Sequence, residues 1–110
     1  MRLKVSPAGA VTQATSKSTA VDIANLCGVI TMNAASLAAT TSVSFTVNCA
    51  SVDANDTVNV NIASGATTNS YMVLVDAVAA GSFRVHLRNL TAGALAEALV
   101  LNYSVINNFA

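Results

Sequence analysis

The sequence predicts an all-β fold: a single antiparallel β-sandwich of about seven or eight short strands, Ig-like or jelly-roll-like in arrangement. Apolar and polar residues alternate strictly in several segments, and clusters of Gly, Ser, Asn and Asp separate these segments at intervals of about 8–14 residues. The chain has 110 residues, which suits one domain with one modest core. We expect a flexible arm over residues 1–8, since Pro7 cannot join a central ladder, and the β-sandwich domain over residues 9–110.

The first three strands are expected to be short, in the segments "AVTQATS", "STAVDI" and "GVITMN" around Lys17 and Gly28. Two later segments, "NAASLAATT" and "GALAEAL", contain good helix formers. Isolated helices of this length are marginal, so we predict that both are loops, the first with at most one helical turn.

The remaining strands show the clearest pattern. In "TSVSFTVNCA", "TVNVNIA", "GSFRVHLRN" and "ALVLNYSVI" every second residue is apolar, which directs one face of each strand to a core. The core expected from this phase consists of Val43, Phe45, Val47, Val58, Val60, Ile62, Phe83, Val85, Leu87, Leu101 and Tyr103. The segment "SYMVLVDAVA" is apolar at both phases, which predicts a central or doubly covered strand. Between strands, Gly65, Gly81 and Gly93 are expected to supply positive φ angles.

Composition restricts the classes of function. Charged residues make up 9% of the chain and the formal net charge is zero, whereas about 25% is usual in soluble proteins. A neutral chain lacks the long-range field that attracts nucleic acid or anionic lipid, so we expect neither as a partner. No apolar run approaches the roughly 20 residues of a membrane span, and no secretory signal is evident. A surface of Ser, Thr and Asn favours a protein that works packed in an assembly.

Two groups of residues could hold a metal ion. Cys27 and Cys49 accompany a single histidine, which is too few ligands for a zinc site. Free buried thiols and a disulfide bond both remain open for this pair, although a reducing cytoplasm disfavours the bond. Asp53, Asn55 and Asp56 cluster in one turn but lack the residue order of a calcium loop, so Asx-type turn contacts are the preferred interpretation.

The segment "SFRVHLRN" carries the most distinctive side chains. Arg84, His86 and Arg88 lie at alternate positions and therefore share one face of a strand. His86 is the only histidine, and no carboxylate pair or phosphate-binding glycine loop accompanies it. We therefore expect no enzyme, no cofactor and no catalytic site. The face is either a solvated outer surface or the contact surface for another chain, because arginine is enriched at protein interfaces.

A resemblance to a known group covers residues 9–106. Its most specific parts are the stretch "TQATSKST" and the segment "LRNLTAGALAEALVLNYSVI". These are similar to a small domain that recurs in structural proteins of tailed-phage and prophage virions, alone or at the end of a longer virion protein. The resemblance implies a virion component and carries over no catalytic residue.

Within that class we expect a capsid decoration (cement) protein, because only about eight residues precede the domain and a fibre would need an attachment region. Such a protein is made in the bacterial host's cytoplasm, binds the major capsid protein on the outside of the head, and self-associates, here as a homotrimer. A tail, fibre or baseplate accessory protein is the alternative. A carbohydrate-binding module is a further alternative, against which stands the absence of Trp and the presence of only two tyrosines, Tyr71 and Tyr103.

Overall fold

The structure, a computed structural model, describes residues 8–108. In this part of the chain there are eight strands and no helix. The strands are β1 (Gly9–Thr12), β2 (Val21–Asp22), β3 (Cys27–Thr31), β4 (Ser42–Asn48), β5 (Thr57–Ser64), β6 (Tyr71–Ala79), β7 (Ser82–Asn89) and β8 (Val100–Ile106). The all-β class and the three short N-terminal strands are thus confirmed. The arm expected over residues 1–8 lies, apart from Ala8, outside the described residues.

The strands form two four-stranded sheets. The first sheet has the order β1-β3-β8-β5 and the second the order β2-β4-β7-β6. Four of the neighbouring pairs are antiparallel, but β1 pairs with β3, and β2 with β4, in parallel. The prediction of a wholly antiparallel fold is therefore wrong for these two pairs. The alternation of residues shows which side chains share a face of a strand, but it does not show the direction of the neighbouring strand.

Close approach of two backbones lets β1 join the first sheet. Gly9 lies opposite Gly28 in the parallel pair. A Cβ atom added to Gly28 would lie 2.5 Å from the carbonyl oxygen of Gly9. Glycine, which has no Cβ atom, is therefore needed at position 28 of β3.

The predicted position of β6 is wrong. Its apolar residues at both phases indicated a central or doubly covered strand, yet β6 is an edge strand of the second sheet. Tyr71, Val73 and Val75 face the core and are partly buried, whereas Met72 and Leu74 point outwards and remain about half exposed. The second apolar phase thus lies on the surface of the described molecule.

One apolar core joins the two sheets. Of the eleven core residues predicted from alternation, seven are buried, and Val43, Val58, Val60 and Ile62 are partly buried against them. The rings of Phe83 in the second sheet and Tyr103 in the first are in contact, with centroids 6.0 Å apart. The prediction of the core positions is confirmed. Loops add further buried side chains that alternation did not indicate, among them Met32, Leu37 and Val52.

Buried polar side chains fix the loops at one end of the molecule. Lys17 is only 3% exposed, and its Nζ donates to the carbonyl oxygens of Asn33 and Glu97. The amide nitrogen of Gln13 donates to the carbonyl oxygens of Lys17 and Thr19, both at 2.9 Å. Main-chain groups far apart in sequence are satisfied in this way, which is the usual condition for burying polar atoms.

Asn89, at the end of β7, also binds main-chain groups of two loops. Its amide nitrogen donates to the carbonyl oxygens of Leu37 and Gly93, and its amide oxygen accepts from the main chain and hydroxyl of Thr91. Leu37 and Leu95 also exchange two main-chain hydrogen bonds. These contacts hold the two long loops, both predicted as loops, against each other.

The turn glycines match the prediction in two cases of three. Gly65 and Gly81 have φ angles of 80° and 87°. Gly93 does not have a positive φ, so that prediction is wrong. The hydrogen bonds from Asn89 and Thr91 to its carbonyl oxygen shape this turn without a left-handed residue.

Truncation of a core ring tests the shared core. Phe45 is 2% exposed in β4, so Phe45→Ala should lower the free energy of unfolding by about 3–5 kcal/mol through lost burial and the cavity left behind. Leu74→Thr, at an exposed position of β6, should change it by no more than about 0.5 kcal/mol. Urea denaturation measures both variants, and equal effects would contradict the placement of these two side chains.

A matched pair of glycines tests the backbone of the β6–β7 turn. A Cβ atom added to either Gly81 or Gly93 would meet no atom within 4 Å, and only Gly81 has a positive φ. Gly81→Ala should therefore cost about 1–2 kcal/mol from backbone strain alone. Gly93→Ala should leave stability unchanged or raise it by up to about 1 kcal/mol. Urea denaturation in which Gly81→Ala is no less stable than Gly93→Ala would refute the left-handed turn.

Candidate interaction surface

Strand β7 presents two faces of opposite character. Phe83, Val85 and Leu87 are buried in the shared core. Arg84, His86 and Arg88 point the other way, with both arginines exposed and the histidine partly exposed. The three candidate residues therefore share one outward face, as the alternation in the sequence predicted.

Strand β6 extends this face to the edge of the sheet. In the antiparallel register, Met72 lies opposite Arg88, Leu74 opposite His86, and Asp76 opposite Arg84. Met72 and Leu74 are 52% and 49% exposed. We call the surface made by Met72, Leu74, Asp76, Arg84, His86 and Arg88 the β6–β7 outer face. Sequence reasoning found its cationic half but missed its apolar half, although the apolar residues at both phases of β6 were the signal for it.

His86 and Asp76 form an ion pair on this face when the histidine is protonated. Nε2 of His86 lies 2.7 Å from Oδ1 of Asp76, and their side chains are 27% and 56% exposed. Strand β7 itself contains no acid that could orient the imidazole, and the neighbouring strand β6 supplies one. Ion pairs this exposed contribute little to stability, about 0–1 kcal/mol.

The two arginines have no carboxylate partner among the described residues. Arg88 donates from Nη1 to the hydroxyl of Ser42 at 3.3 Å, and within residues 8–108 the only ion pair is that of His86 with Asp76. Lys17, the one lysine in this part of the chain, is buried. The exposed Lys and Arg side chains of the described chain are therefore both on the β6–β7 outer face.

The outer face of the first sheet is chemically different. None of its four strands contains a charged residue. Asn59 and Asn61 of β5 lie opposite Ser104 and Asn102 of β8, so this face is neutral, with amide and hydroxyl groups and one exposed large apolar side chain, Ile106. The molecule thus has one neutral face and one face on which charge and exposed apolar area coincide, a combination typical of protein interfaces.

The two thiols are not joined by a disulfide bond. Cys49 is buried, and its Sγ donates to the carbonyl oxygen of Asn25 at 3.5 Å, while Cys27 is partly buried. Among residues 8–108 no group of three or more His, Cys, Asp and Glu side chains is placed to hold a metal ion.

The carboxylate of Asp56 binds main-chain and side-chain donors. Its Oδ2 accepts from the main-chain N–H of Asp53 at 2.9 Å and from the side chain of Asn107 at 2.7 Å, and Oδ1 accepts from the N–H of Asn108 at 3.1 Å. These donors, with that of Asp53 the largest, lower the pKa of Asp56 below its ordinary value. The turn singled out in the sequence therefore ties β5 to the residues that follow β8.

A second polar cluster surrounds Glu97. Its carboxylate accepts from the hydroxyl of Tyr71 at 2.9 Å and from the N–H and hydroxyl of Thr67. The hydrogen bond from Tyr71 is the main reason that the pKa of Glu97 is lowered, and burial together with Glu97 raises the pKa of Tyr71 to about 12. Burial lowers the pKa of Lys17, against the opposing effect of Glu97. These shifts belong to side chains that join loops, so we assign them a structural role.

Acid should unfold the protein partly through Asp56. Because the folded-state pKa of Asp56 is depressed, its stabilising contribution is complete above the ordinary value of 3.8 and is lost as pH falls through the folded value. Asp56→Asn should lower the melting temperature at pH 7 and reduce its dependence on pH below about 4. Asp53→Asn, in the same turn but with an exposed side chain, is the control. Identical melting curves for wild type and Asp56→Asn, at pH 7 and also below pH 4, would contradict this role.

Comparisons with known proteins gave no relative: no family model, no curated protein and no solved structure matches this chain. Residues 8–108 contain no helix that is long and apolar enough to cross a membrane. The chemistry of the β6–β7 outer face and the resemblance described for the sequence are thus the two indications of function.

Proposed function

We propose that this chain is a capsid decoration protein of a tailed bacteriophage, a non-enzymatic β-sandwich that binds the outer surface of the head and stabilises it. In this proposal the major capsid protein is the partner and the β6–β7 outer face is the surface that meets it. The location is the virion, and the protein self-associates on the shell as a homotrimer. The Ig-like or jelly-roll-like description of the sandwich is part of the same proposal.

The observation that carries the proposal is the concentration of binding chemistry on one face. Two guanidinium groups without carboxylate partners among residues 8–108 lie beside two half-exposed apolar side chains, on paired strands of a molecule that is otherwise sparsely charged. Arginine and methionine are enriched in interfaces relative to the rest of a protein surface. Such a face favours a binding protein over an enzyme, and the resemblance to virion domains suggests the shell as the partner.

Repetition on a shell makes modest contacts sufficient. A head offers many equivalent sites, and an oligomer that engages several of them gains avidity without any further contact in each. A neutral surface elsewhere also limits repulsion between neighbouring copies on the shell. These arguments suit a decoration protein whose individual interface is small.

Removal of both arginines is the direct test. Arg84→Ser with Arg88→Ser should leave the melting temperature nearly unchanged, because both side chains are exposed. Each lost charge-assisted hydrogen bond is worth about 1.5–3 kcal/mol, so each should weaken binding to heads by at least about tenfold. Co-sedimentation with heads that lack the protein measures the affinity.

The matched control is Asn59→Ser with Asn61→Ser, on the neutral face of the first sheet. It should bind heads like the wild type. Unchanged binding of the arginine double variant, or an equal loss in the control, would contradict docking through the β6–β7 outer face. Binding of the wild-type protein to tails and not to heads would replace the decoration role by the tail accessory role.

A further inference from the structure

One edge of β6 has no hydrogen-bonded neighbour in the described chain. β6 has nine residues, the most of any strand in the described chain, and it pairs on one side only, with β7. Within residues 8–108 its main chain makes no hydrogen bond to any segment other than β7. An unpaired edge of this kind presents a row of N–H and C=O groups that a further extended segment can satisfy.

A bulge limits the usable length of this edge. The register shifts between Asp76 and Ala79, and Ala77 has a φ of 52°. Bulges bend a strand and end regular pairing. The straight part of the edge is therefore residues 71–76, about 17 Å long. It contains no proline and no lysine, the residues that commonly protect an edge from pairing.

The charges beside this edge have a definite spacing. Arg84 and Arg88 are four residues apart on β7, which corresponds to about 13 Å. Between them lies the pair of Leu74 and His86, and His86 is already engaged by Asp76. An extended segment repeats its side chains on one face every second residue, so its positions i and i+4 have the same separation as the two arginines.

We propose that the edge of β6 and the β6–β7 outer face bind an extended segment of another protein, one with two carboxylates four residues apart and an apolar residue midway. The segment adds to the second sheet beside β6. Its carboxylates reach across Met72 and Asp76 to Arg88 and Arg84, and its middle residue packs on Leu74. This site deepens the docking role proposed above and rests on it, with the segment supplied by the capsid protein.

A second copy of this chain does not fit the site. Its five acidic residues are Asp22, Asp53, Asp56, Asp76 and Glu97, and no two of them are four residues apart. Two copies that met through this face would also bring four arginines together against two aspartates, with each aspartate already held by a histidine. Charge complementarity therefore selects a different, acidic chain.

A short peptide tests the site without any virion. The probe is an acetylated and amidated nine-residue threonine peptide with Glu at its third and seventh positions and Val at its fifth. In a titration of the isotope-labelled protein followed by NMR, it should shift the amide signals of residues 71–76 in a saturable way. The affinity should fall as salt is raised, because exposed charges are screened.

Three controls identify the interactions. The same peptide with Gln in place of both Glu residues should bind the wild-type protein at least tenfold more weakly. The Glu peptide should lose affinity by a similar factor for the Arg84→Ser and Arg88→Ser double variant. The Asn59→Ser and Asn61→Ser double variant should bind the Glu peptide normally. Absence of shifts in β6 at millimolar peptide, equal binding of the Gln peptide, or shifts confined to β5 would each overturn the proposal.

The peptide experiment and the head-binding experiment fail independently. If the protein binds heads through the arginines but does not bind the Glu peptide, the decoration role stands and the acidic-segment site is wrong. If the peptide binds at β6 but heads do not bind the protein, the site stands and its partner is not the shell.

Discussion

The two sheets each bury one face in a common apolar core. The contact between Phe83 and Tyr103, one ring from each sheet, lies in that core with centroids 6.0 Å apart. Because side chains alternate along a strand, burial of Phe83, Val85 and Leu87 forces the residues between them outwards. The position of Arg84 and its neighbours on the surface is thus a consequence of the core, and a one-residue slip of β7 would bury them.

Polar side chains fix the course of the loops, which the apolar core alone does not determine. The two sheets do not determine the course of the loops at the end where Lys17, Asn89 and Glu97 lie. Lys17 and Asn89 donate to main-chain carbonyl groups of distant loops, and Glu97 accepts from the loop before β6. Such groups are costly to bury without partners, so each one selects the loop arrangement that satisfies it. These contacts hold Tyr71 at the start of β6 and Asn89 at the end of β7, so the strands that carry the β6–β7 outer face are fixed at that end.

The sequence predicts those features that depend on local alternation and fails on those that depend on distant partners. Alternation placed Phe45 in the core and Arg84, His86 and Arg88 on one face. It could not show that β6 lies at an edge, because apolar residues at both phases are as typical of a covered strand as of an edge strand with an exposed apolar face. Nor could it show the parallel pairs or the burial of Lys17, whose acceptor in the second loop is 80 residues away. Nor could alternation show that Asp76 is the partner of His86, because the two residues lie on different strands and only the pairing of β6 with β7 brings them together.

In the proposed docking mode, one face of one sheet is the binding surface and the neutral face of the other sheet stays free. Hydrogen–deuterium exchange of the protein, free and bound to phage heads, distinguishes the two faces because it reports on main-chain amides along each strand. Docking along β6 should slow the exchange of the amides of residues 71–76 on binding and leave those of β5 unchanged. Protection confined to β5 and β8 of the first sheet, with β6 exchanging as in the free protein, would contradict it.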